Sequence, residues 1–143
     1  MTTMTTPRPA EPVVRSDSVD DLRLVEPLPG FPDETTFTLG RIDPNGVLLA
    51  LRSTRDPALR FVLTPAEVFF ADYRAELADV VVRSLRAANA QELRLLLVLT
   101  IGTGLGDATA NLRAPIVFAP GTGRAMQVVL DDESRPMRQP LIA

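Results

Sequence analysis

The sequence predicts a mainly β (α+β) fold: a small antiparallel β-barrel-like domain with one short and one longer inserted helix. About eight short apolar runs alternate with turns rich in glycine and proline, which is typical of a meandering sheet. Helical spacing of apolar residues is confined to residues 64–89. With 143 residues and 45% hydrophobic content, the chain has apolar material for one core. We therefore assign residues 13–143 to a single domain.

The composition excludes several classes of function. The chain has no Cys, His or Trp, so disulfides, thiol nucleophiles and imidazole metal ligands are impossible. A net charge of -3 argues against direct nucleic-acid binding, which needs a positive face. Residues 1–12 are rich in Thr and Pro and are predicted to be a disordered tail. Without a signal peptide or a long apolar run, we expect a cytoplasmic protein that needs no membrane and no cofactor.

The first third of the chain is predicted to form two hairpins joined by a proline-rich loop. The predicted strands are residues 13–15, 22–25, 36–39 and 47–51. An Asp-Pro-Asn-Gly turn at residues 43–46 connects the second pair. The loop between the hairpins presents Phe31, for which two fates are open. We favour a plug in the core over contact with a partner, because an aromatic side chain at a loop tip is more commonly buried.

The middle of the chain is predicted to hold a strand at residues 61–63 and then two helices. Thr64 and Glu67 have the spacing of a capping box, so a short helical turn is expected to follow them. A longer helix is predicted over residues 79–89, because apolar residues recur there at helical spacing. The aromatic pair Phe69 and Phe70 is assigned to the core in preference to a ligand groove.

The longest apolar run, residues 93–101, is predicted to be the buried strand around which the fold is arranged. It is too short to cross a bilayer and too rich in branched residues to lie on a surface. After it come a glycine turn at 102–107, a hexapeptide at 109–114 and a second strand at 116–118. We therefore expect two strands that flank one exposed loop.

The C-terminal part is predicted to add one strand and two turns. A tight turn at 120–123 precedes the last strand, residues 126–130. The acidic residues 131–133 are interpreted as a solvated turn, because consecutive carboxylates on an extended chain point to alternate sides and cannot converge on a metal ion.

The three glycines of the 102–107 turn raise the hypothesis of a dinucleotide site, since glycines after a strand let backbone N–H groups approach a pyrophosphate. The spacing does not fit. The third glycine of that motif would fall on Asp107, whose carboxylate repels phosphate, and a strand rather than a helix follows. A mobile glycine turn between paired strands is the favoured interpretation.

Several blocks recur together in one known family. They read L-P-G-F at 28–31, F-V at 61–62 with F-F-A-D-Y at 69–73, T-A-N-L-R-A-P-I at 109–116, and R-Q-P-L at 138–141. In this order and spacing the chain resembles the flagellar assembly factor FliW family, over residues 27–141. Two positions depart from the family pattern: Arg52 stands where the family tends to have Gln, and Arg135 where it usually has an aromatic residue.

The resemblance implies a compact β-barrel-like fold and a binding protein rather than an enzyme. FliW proteins bind the C-terminal region of newly made flagellin and also bind the translational regulator CsrA, so that free flagellin determines whether CsrA can repress flagellin mRNA. An acidic domain suits a basic RNA-binding partner, because complementary charge speeds encounter. The alternative is a small-molecule-binding or hydrolytic β-barrel that uses the loop at residues 102–111.

The candidates for partner contact lie in predicted loops or in the family blocks. They are Phe31, Arg52, Thr109, Asn111, Leu112, Arg113 and Arg138. For Asn111 two roles are open: its amide ties the glycine-rich loop to neighbouring backbone, which we favour, or it reaches out to a partner. No catalytic, metal-binding or cofactor-binding residue is assigned.

Overall fold

The computed structural model describes residues 20–56 and 58–141. The strands are β1 (Asp20–Leu24), β2 (Thr36–Arg41), β3 (Leu49–Ser53), β4 (Arg60–Pro65), β5 (Arg94–Thr100), β6 (Thr109–Ala110), β7 (Ile116–Ala119), β8 (Arg124–Gln127) and β9 (Gln139–Pro140). The helices are α1 (Ala66–Phe69) and α2 (Asp79–Ser84), with 3-10 turns at Ala90–Glu92 and Leu105–Asp107. The predicted tail, residues 1–12, and the predicted opening strand, residues 13–15, lie outside the described residues.

Seven of the strands close into a barrel, which confirms the mainly β, barrel-like prediction. Around the ring the order is β1-β2-β3-β4-β5-β7-β8, and β8 returns to β1. The ring pairings are antiparallel except the last, in which β8 runs parallel to β1 with Leu24 opposite Ala125. The short strands β6 and β9 lie outside the ring, β6 beside the end of β5 and β9 beside β6. Closure gives each ring strand a neighbour on both sides.

Alternate residues of the ring strands fill the barrel interior. Strand residues point by turns to the two sides of a sheet, so an inward set and an outward set are expected. The buried inward set is Leu22, Leu24, Phe37, Leu39, Leu51, Leu63, Leu96, Ile116, Phe118 and Ala125, joined by Leu28 from the loop after β1. Burial of one Leu or Phe stabilises a fold by roughly 1.5–3 kcal/mol, and a slip of one residue would turn a whole strand's set to water. The core therefore fixes the register.

The two ends of the barrel differ in what covers them. At one end the proline-rich loop after β1 folds over the opening, where Phe31 meets Phe61 edge-on with ring centroids 5.6 Å apart. Phe31 is half-buried against the core, as the plug interpretation expects. The other end is an apolar cavity of about 310 Å³. Its lining includes Leu39, Leu49, Leu95, Leu96 and Phe118, with the charged residues Asp20, Glu67 and Arg94.

The outer surface of the barrel is covered on one side. The segment between β4 and β5 lies over β5, β7 and β8. It forms two apolar clusters: Phe70 and Tyr73 with Leu97, Leu99 and Ala110, and Val81 and Leu85 with Val117 and Ala119. We call the outward side of β5, β7 and β8 the covered face. On the opposite side the outward residues of β2, β3 and the start of β4 face solvent, and we call Thr38, Gly40, Ala50, Arg52 and Arg60 the open face.

The predicted capping box is wrong, although the short helical turn α1 is present. Thr64 lies inside β4, is fully buried, and its hydroxyl donates to the carbonyl of Val47 at 2.7 Å. The strand continues through Pro65, which pairs with Leu96 of β5. Because Thr64 and Pro65 stay in the strand and α1 begins only after them, no side chain caps α1.

The second helix is shorter than predicted: it ends at Ser84 rather than near residue 89. Arg86 adopts a left-handed φ of 57°, and the N–H of Ala87 donates to the carbonyl of Val82 at 3.1 Å. This bond closes a Schellman-type end, which usually has glycine in the left-handed position. An arginine there gives no sequence signal for a helix end. Neither this helix nor any other in the described ranges is long and apolar enough to cross a membrane.

The C-terminal strands also differ from the prediction of one strand at residues 126–130. The strand β8 begins at Arg124 and ends at Gln127. A ninth strand, Gln139–Pro140, pairs with β6 and was not predicted. Two residues that include a proline show no alternation, so the sequence has no periodic signal for this strand.

Candidate functional site

The block at residues 109–116 is a bulge in the sheet. The strand β6 pairs with β5 through Ala110 opposite Leu99, and β7 rejoins β5 with Ile116 opposite Leu96. Residues 111–115 therefore face a shorter stretch of β5 and must fold out of the ladder. The alanines and the proline of the block are buried. The prediction of one exposed loop is wrong here, and the exposed part of the connection is the glycine turn before the block.

Asn111 holds the bulge in shape. Its backbone N–H donates to the carbonyl of Val98 at 3.0 Å. Its side-chain Oδ1 accepts from the backbone N–H of Arg113 at 3.0 Å and of Ala114 at 3.1 Å. The side chain thus supplies the acceptor that a regular sheet neighbour would have supplied. These bonds tether backbone, as favoured for Asn111, but they hold the bulge after it and not the glycine turn before it, and its contact with a partner stays a prediction.

The segment after β8 holds the bulge from the other side. The N–H of Leu112 donates to the carbonyl of Pro136 at 3.0 Å. The Arg113 guanidinium donates through Nε to the carbonyl of Arg135 at 3.0 Å and through an Nη to that of Glu133 at 2.5 Å. Leu112 and Arg113 were predicted to contact a partner, and the structure shows these polar groups engaged within the chain.

Tyr73 and Arg135 lie where the bulge meets the segment after β8, a place that we call the junction. The Tyr73 hydroxyl donates to the carbonyl of Leu112 at 2.7 Å. The Arg135 guanidinium lies over the Tyr73 ring, with Cζ 5.0 Å from the centroid, and its Nε is 3.6 Å from the Asp132 carboxylate. Burial raises the pKa of Tyr73, so the phenol keeps its proton and acts as a donor. Arg135 thus makes a cation–π contact with Tyr73.

A polar cavity of about 380 Å³ lies beside this junction. It is lined by Arg74, Glu76, Leu130, Asp131, Asp132 and Arg135. Asp132 accepts from the backbone N–H of Ser134 at 3.0 Å as well as from its hydroxyl, and these bonds lower the pKa of Asp132. The acidic run is thus an exposed turn that is held by its own hydrogen bonds.

The glycine turn is closed by Asp107. The Asp107 carboxylate accepts from the N–H and the hydroxyl of Thr103, each at 2.9 Å, and from the N–H of Gly104 at 3.2 Å. These bonds, the backbone bond from Thr103 first, lower the pKa of Asp107 to about 2. A Cβ on Gly102 would lie 2.6 Å from Asp107 Oδ2, so a larger residue there would make the carboxylate shift. The N–H groups that a phosphate would need are already bound to this carboxylate, which removes the support for a ligand loop at residues 102–111.

The open face contains Arg52 and one residue that the sequence did not single out, Arg60. In the sheet register Arg52 lies between Thr38 on β2 and Arg60 on β4. Both arginines are exposed. A cavity of about 350 Å³ lies on this face, lined by Thr38, Gly40, Arg41, Ile42, Ala50, Arg52 and Arg60. Arg60 could have been found only from the pairing of β3 with β4, which the sequence does not specify.

The predicted contact residues fall into three separate places. Thr109, Asn111, Leu112 and Arg113 lie in or beside the bulge, and the exposed Arg138 precedes β9, the strand that pairs with β6. Arg52 is on the open face, and Phe31 is at the plugged end of the barrel. The structure therefore brings together the bulge group and leaves the other two apart.

Comparisons with known proteins settle the family. The model of the FliW protein family matches residues 3–141. The flagellar assembly factor FliW of Shouchella clausii is 39% identical over 114 residues, which are 80% of this chain and 78% of that protein. The chain belongs to the FliW family. The FliW of Bacillus licheniformis is 33% identical over 114 residues, 80% of each protein. A crystal structure of the flagellar assembly factor FliW aligns with a TM-score of 0.78 at 29% identity, covering 91% of this chain and 89% of that chain.

Family membership gives the FliW blocks a structural meaning. The T-A-N-L-R-A-P-I block is the bulge and its tether, and the F-F-A-D-Y block brings Phe70 and Tyr73 onto the covered face. The L-P-G-F block supplies the plug with Leu28 and Phe31. The sequence blocks that identify a FliW flagellar assembly factor are therefore, in this chain, the contacts that assemble the barrel and its cover.

Proposed function

We propose that this chain is a cytoplasmic FliW that binds the C-terminal region of flagellin and antagonises the translational regulator CsrA. The proposal is carried by one observation, which is that the likeness to FliW extends over the whole barrel and its cover rather than over one motif. In this scheme the two partners compete for the chain. Free flagellin occupies it and leaves CsrA able to repress flagellin mRNA.

The chemistry of the bulge supports a binding protein over an enzyme. A hydrolytic site needs a carboxylate or hydroxyl that is poised for proton transfer or attack. Asp107 has a pKa of about 2, and its oxygens accept hydrogen bonds within the glycine turn. Tyr73 has a raised pKa and donates to a backbone carbonyl. Asp107 holds the glycine turn, Tyr73 holds the bulge, and neither group is poised for catalysis.

Charge supports binding to CsrA at a place apart from its RNA groove. The chain has 18 acidic and 15 basic residues, and exposed carboxylates such as Asp131 lie close to arginines such as Arg135. A surface that imitated RNA would present a dense field of one sign. The mixed field suits docking to a basic protein by local complementarity rather than occupation of a phosphate-binding surface.

Titration calorimetry with each partner tests the proposal. The purified chain is titrated with a peptide of the flagellin C-terminal region and, separately, with CsrA, both from the same source. We expect saturable binding to each, and displacement of CsrA by the flagellin peptide. A flagellin peptide with the same composition in scrambled order is the control. If neither partner binds, the function is not shared with the family; if a stable ternary complex forms, there is no switch.

A second titration tests the place of binding. CsrA is first saturated with its RNA and then mixed with the chain. We expect the chain to bind the CsrA–RNA complex, so that a ternary species is detected at short times. Binding of the chain should then weaken the affinity of CsrA for its RNA. Simple competition, in which bound RNA prevents all binding of the chain, would contradict a site apart from the RNA groove.

A further inference from the structure

The open face places two like charges directly opposite each other. Arg52 and Arg60 are cross-strand partners on β3 and β4, and both are exposed. Like charges in this position destabilise a sheet. Among residues 20–56 and 58–141, the ion pair that is found joins Arg135 to Asp132, and none involves these two arginines. The fold therefore bears a repulsion that the described residues do not relieve.

The surface beside the two arginines is shaped as a groove. The next cross-strand pair on the same side is Gly40 opposite Ala50, and these are the smallest side chains available. They form the floor of the groove. On one side stand Arg52 and Arg60, and on the other stands the side chain of Ile42, which is 46% exposed. The result is an accessible apolar strip with a cationic wall.

We propose that this groove binds an acidic, extended segment of a protein partner. The guanidinium groups of Arg52 and Arg60 hold carboxylates of the segment, since the planar fork of arginine matches a carboxylate in two parallel hydrogen bonds. An apolar side chain of the segment packs on Ala50 and Ile42. One bound carboxylate between the arginines would turn their repulsion into two favourable contacts.

The observations favour a protein segment over RNA as the occupant. The residues that line the cavity include no aromatic side chain on which a base could stack. The net charge of -3 would also repel a long polyanion, whereas a few carboxylates meet only the local arginine pair. Only the identity of the partner rests on the proposed function, in which flagellin and CsrA bind this chain. The acidic, extended character of the segment rests on the groove itself.

Fluorescence anisotropy with a labelled acidic probe tests the groove. The probe is a short peptide of Glu, Leu and Ser, and its counterpart has Gln in place of each Glu. We expect the acidic probe to bind and the neutral one to bind at least about tenfold more weakly, which is the order of effect for charge-assisted hydrogen bonds. The double variant Arg52→Gln with Arg60→Gln should weaken the acidic probe about tenfold or more.

A matched double variant controls for net charge. Arg83→Gln with Arg86→Gln removes two exposed arginines that lie outside the open face, and it should change the affinity for the acidic probe less than about twofold. Equal weakening by both double variants would show a non-specific charge effect and overturn the proposal. Absence of binding by the acidic probe to the unaltered chain would also overturn it, as would an RNA oligomer that binds equally tightly through the same two arginines.

A melting curve of each variant separates binding from folding. Because the Arg52→Gln with Arg60→Gln variant loses a like-charge contact, we expect it to melt no lower than the unaltered chain while it loses the probe. A lower melting temperature with lost binding would assign the arginines to stability instead. Flagellin and CsrA are measured on the same samples. Failure of both on the unaltered chain, with the probe still bound, would remove the proposed function and leave the groove standing.

Discussion

The covered face and the open face are two sides of one barrel with opposite chemistry. On the covered face, outward residues such as Leu97 and Val117 are fully buried beneath the segment between β4 and β5. On the open face, the equivalent outward positions are occupied by Gly40, Ala50 and the exposed Arg52. A closed barrel needs only its interior to be apolar. The apolar outward residues of the covered face are thus explained by the cover, and the small and cationic residues of the open face form the groove that we propose as a docking site.

The comparison of the two faces shows where the residues that resemble the FliW family lie. The blocks that carry the resemblance to FliW fall mainly on the covered face and beside the bulge, where Tyr73 donates to the backbone of Leu112 and Asn111 accepts from the backbone of Arg113. Of the two departures, Arg52 falls on the open face and Arg135 lies over Tyr73 beside the covered face. Residues that hold a cover in place are constrained by packing from several sides, whereas an exposed position is constrained only by what binds there. The packing of the motif residues is therefore explained by the fold without a partner.

The largest effect is expected from a cavity on the covered face. Leu97→Ala should lower the free energy of unfolding by about 2–5 kcal/mol, because Leu97 is fully buried between β5 and the cover. Thr38→Ala is the matched change at an outward position of the open face, and it should stay within about 0.5 kcal/mol. Urea denaturation measures both. Similar costs at the two positions would mean that the cover adds little and that the comparison fails.

Asn111→Ala should give the next largest effect, a loss of about 1–2 kcal/mol, because the backbone N–H groups of Arg113 and Ala114 lose their acceptor. Asn111→Asp keeps that acceptor oxygen and should cost less in the same denaturation experiment. Binding of flagellin and CsrA should weaken only indirectly, through a looser bulge. Lost binding with an unchanged denaturation curve would make Asn111 a contact residue on what we describe as an internal junction.

The alternation of the ring strands could be predicted from the sequence, and the features that depend on distant pairing could not. The hairpin around Gly46 was predicted because its turn residues and its two strands are local signals, and the structure confirms it. Thr64 has the local pattern of a helix cap, but it lies in β4 and its hydroxyl donates to the carbonyl of Val47. The helix end at Arg86 and the strand β9 have no local signal at all.

The candidate site was predicted in part for the same reason. Asn111 was assigned as a tether because a glycine-rich loop needs one, and its two backbone partners lie within three residues of it. The burial of the rest of the block depends on the segment after β8, which reaches Leu112 and Arg113 from far along the chain. No spacing rule predicts that approach. Likewise Arg60 becomes relevant only when β3 and β4 are paired.

Arg52→Gln should slightly stabilise the fold. Removal of one charge from the pair with Arg60 relieves a cross-strand repulsion. We expect a gain of about 0.2–0.5 kcal/mol, the low end for such pairs because water screens exposed charges. Arg83→Gln loses the same charge outside the open face and should give no gain. Thermal melts at low salt measure both, and the difference between the two variants should shrink in high salt. A loss of stability in Arg52→Gln would mean that the arginine is paired within the chain.

The smallest effect concerns the glycine turn at residues 102–107, which is exposed and is held by the Asp107 carboxylate rather than by the cover. In the folded chain the pKa of Asp107 is lowered from 3.8 to about 2. A depressed folded pKa contributes stability that is present above the unfolded pKa and is lost as the pH falls through the folded one. The melting temperature of the unaltered chain should therefore exceed that of Asp107→Asn by a small constant amount between pH 5 and 7, and the gap should close between about pH 4 and pH 2. Asp43 and Asp132 also have lowered pKa values, but both proteins contain them, so their titration cancels in the difference. A gap that persists at pH 2 would show that the turn depends on the shape of the side chain and not on its charge, and the hydrogen bonds from Thr103 and Gly104 would then be as strong to an amide as to a carboxylate.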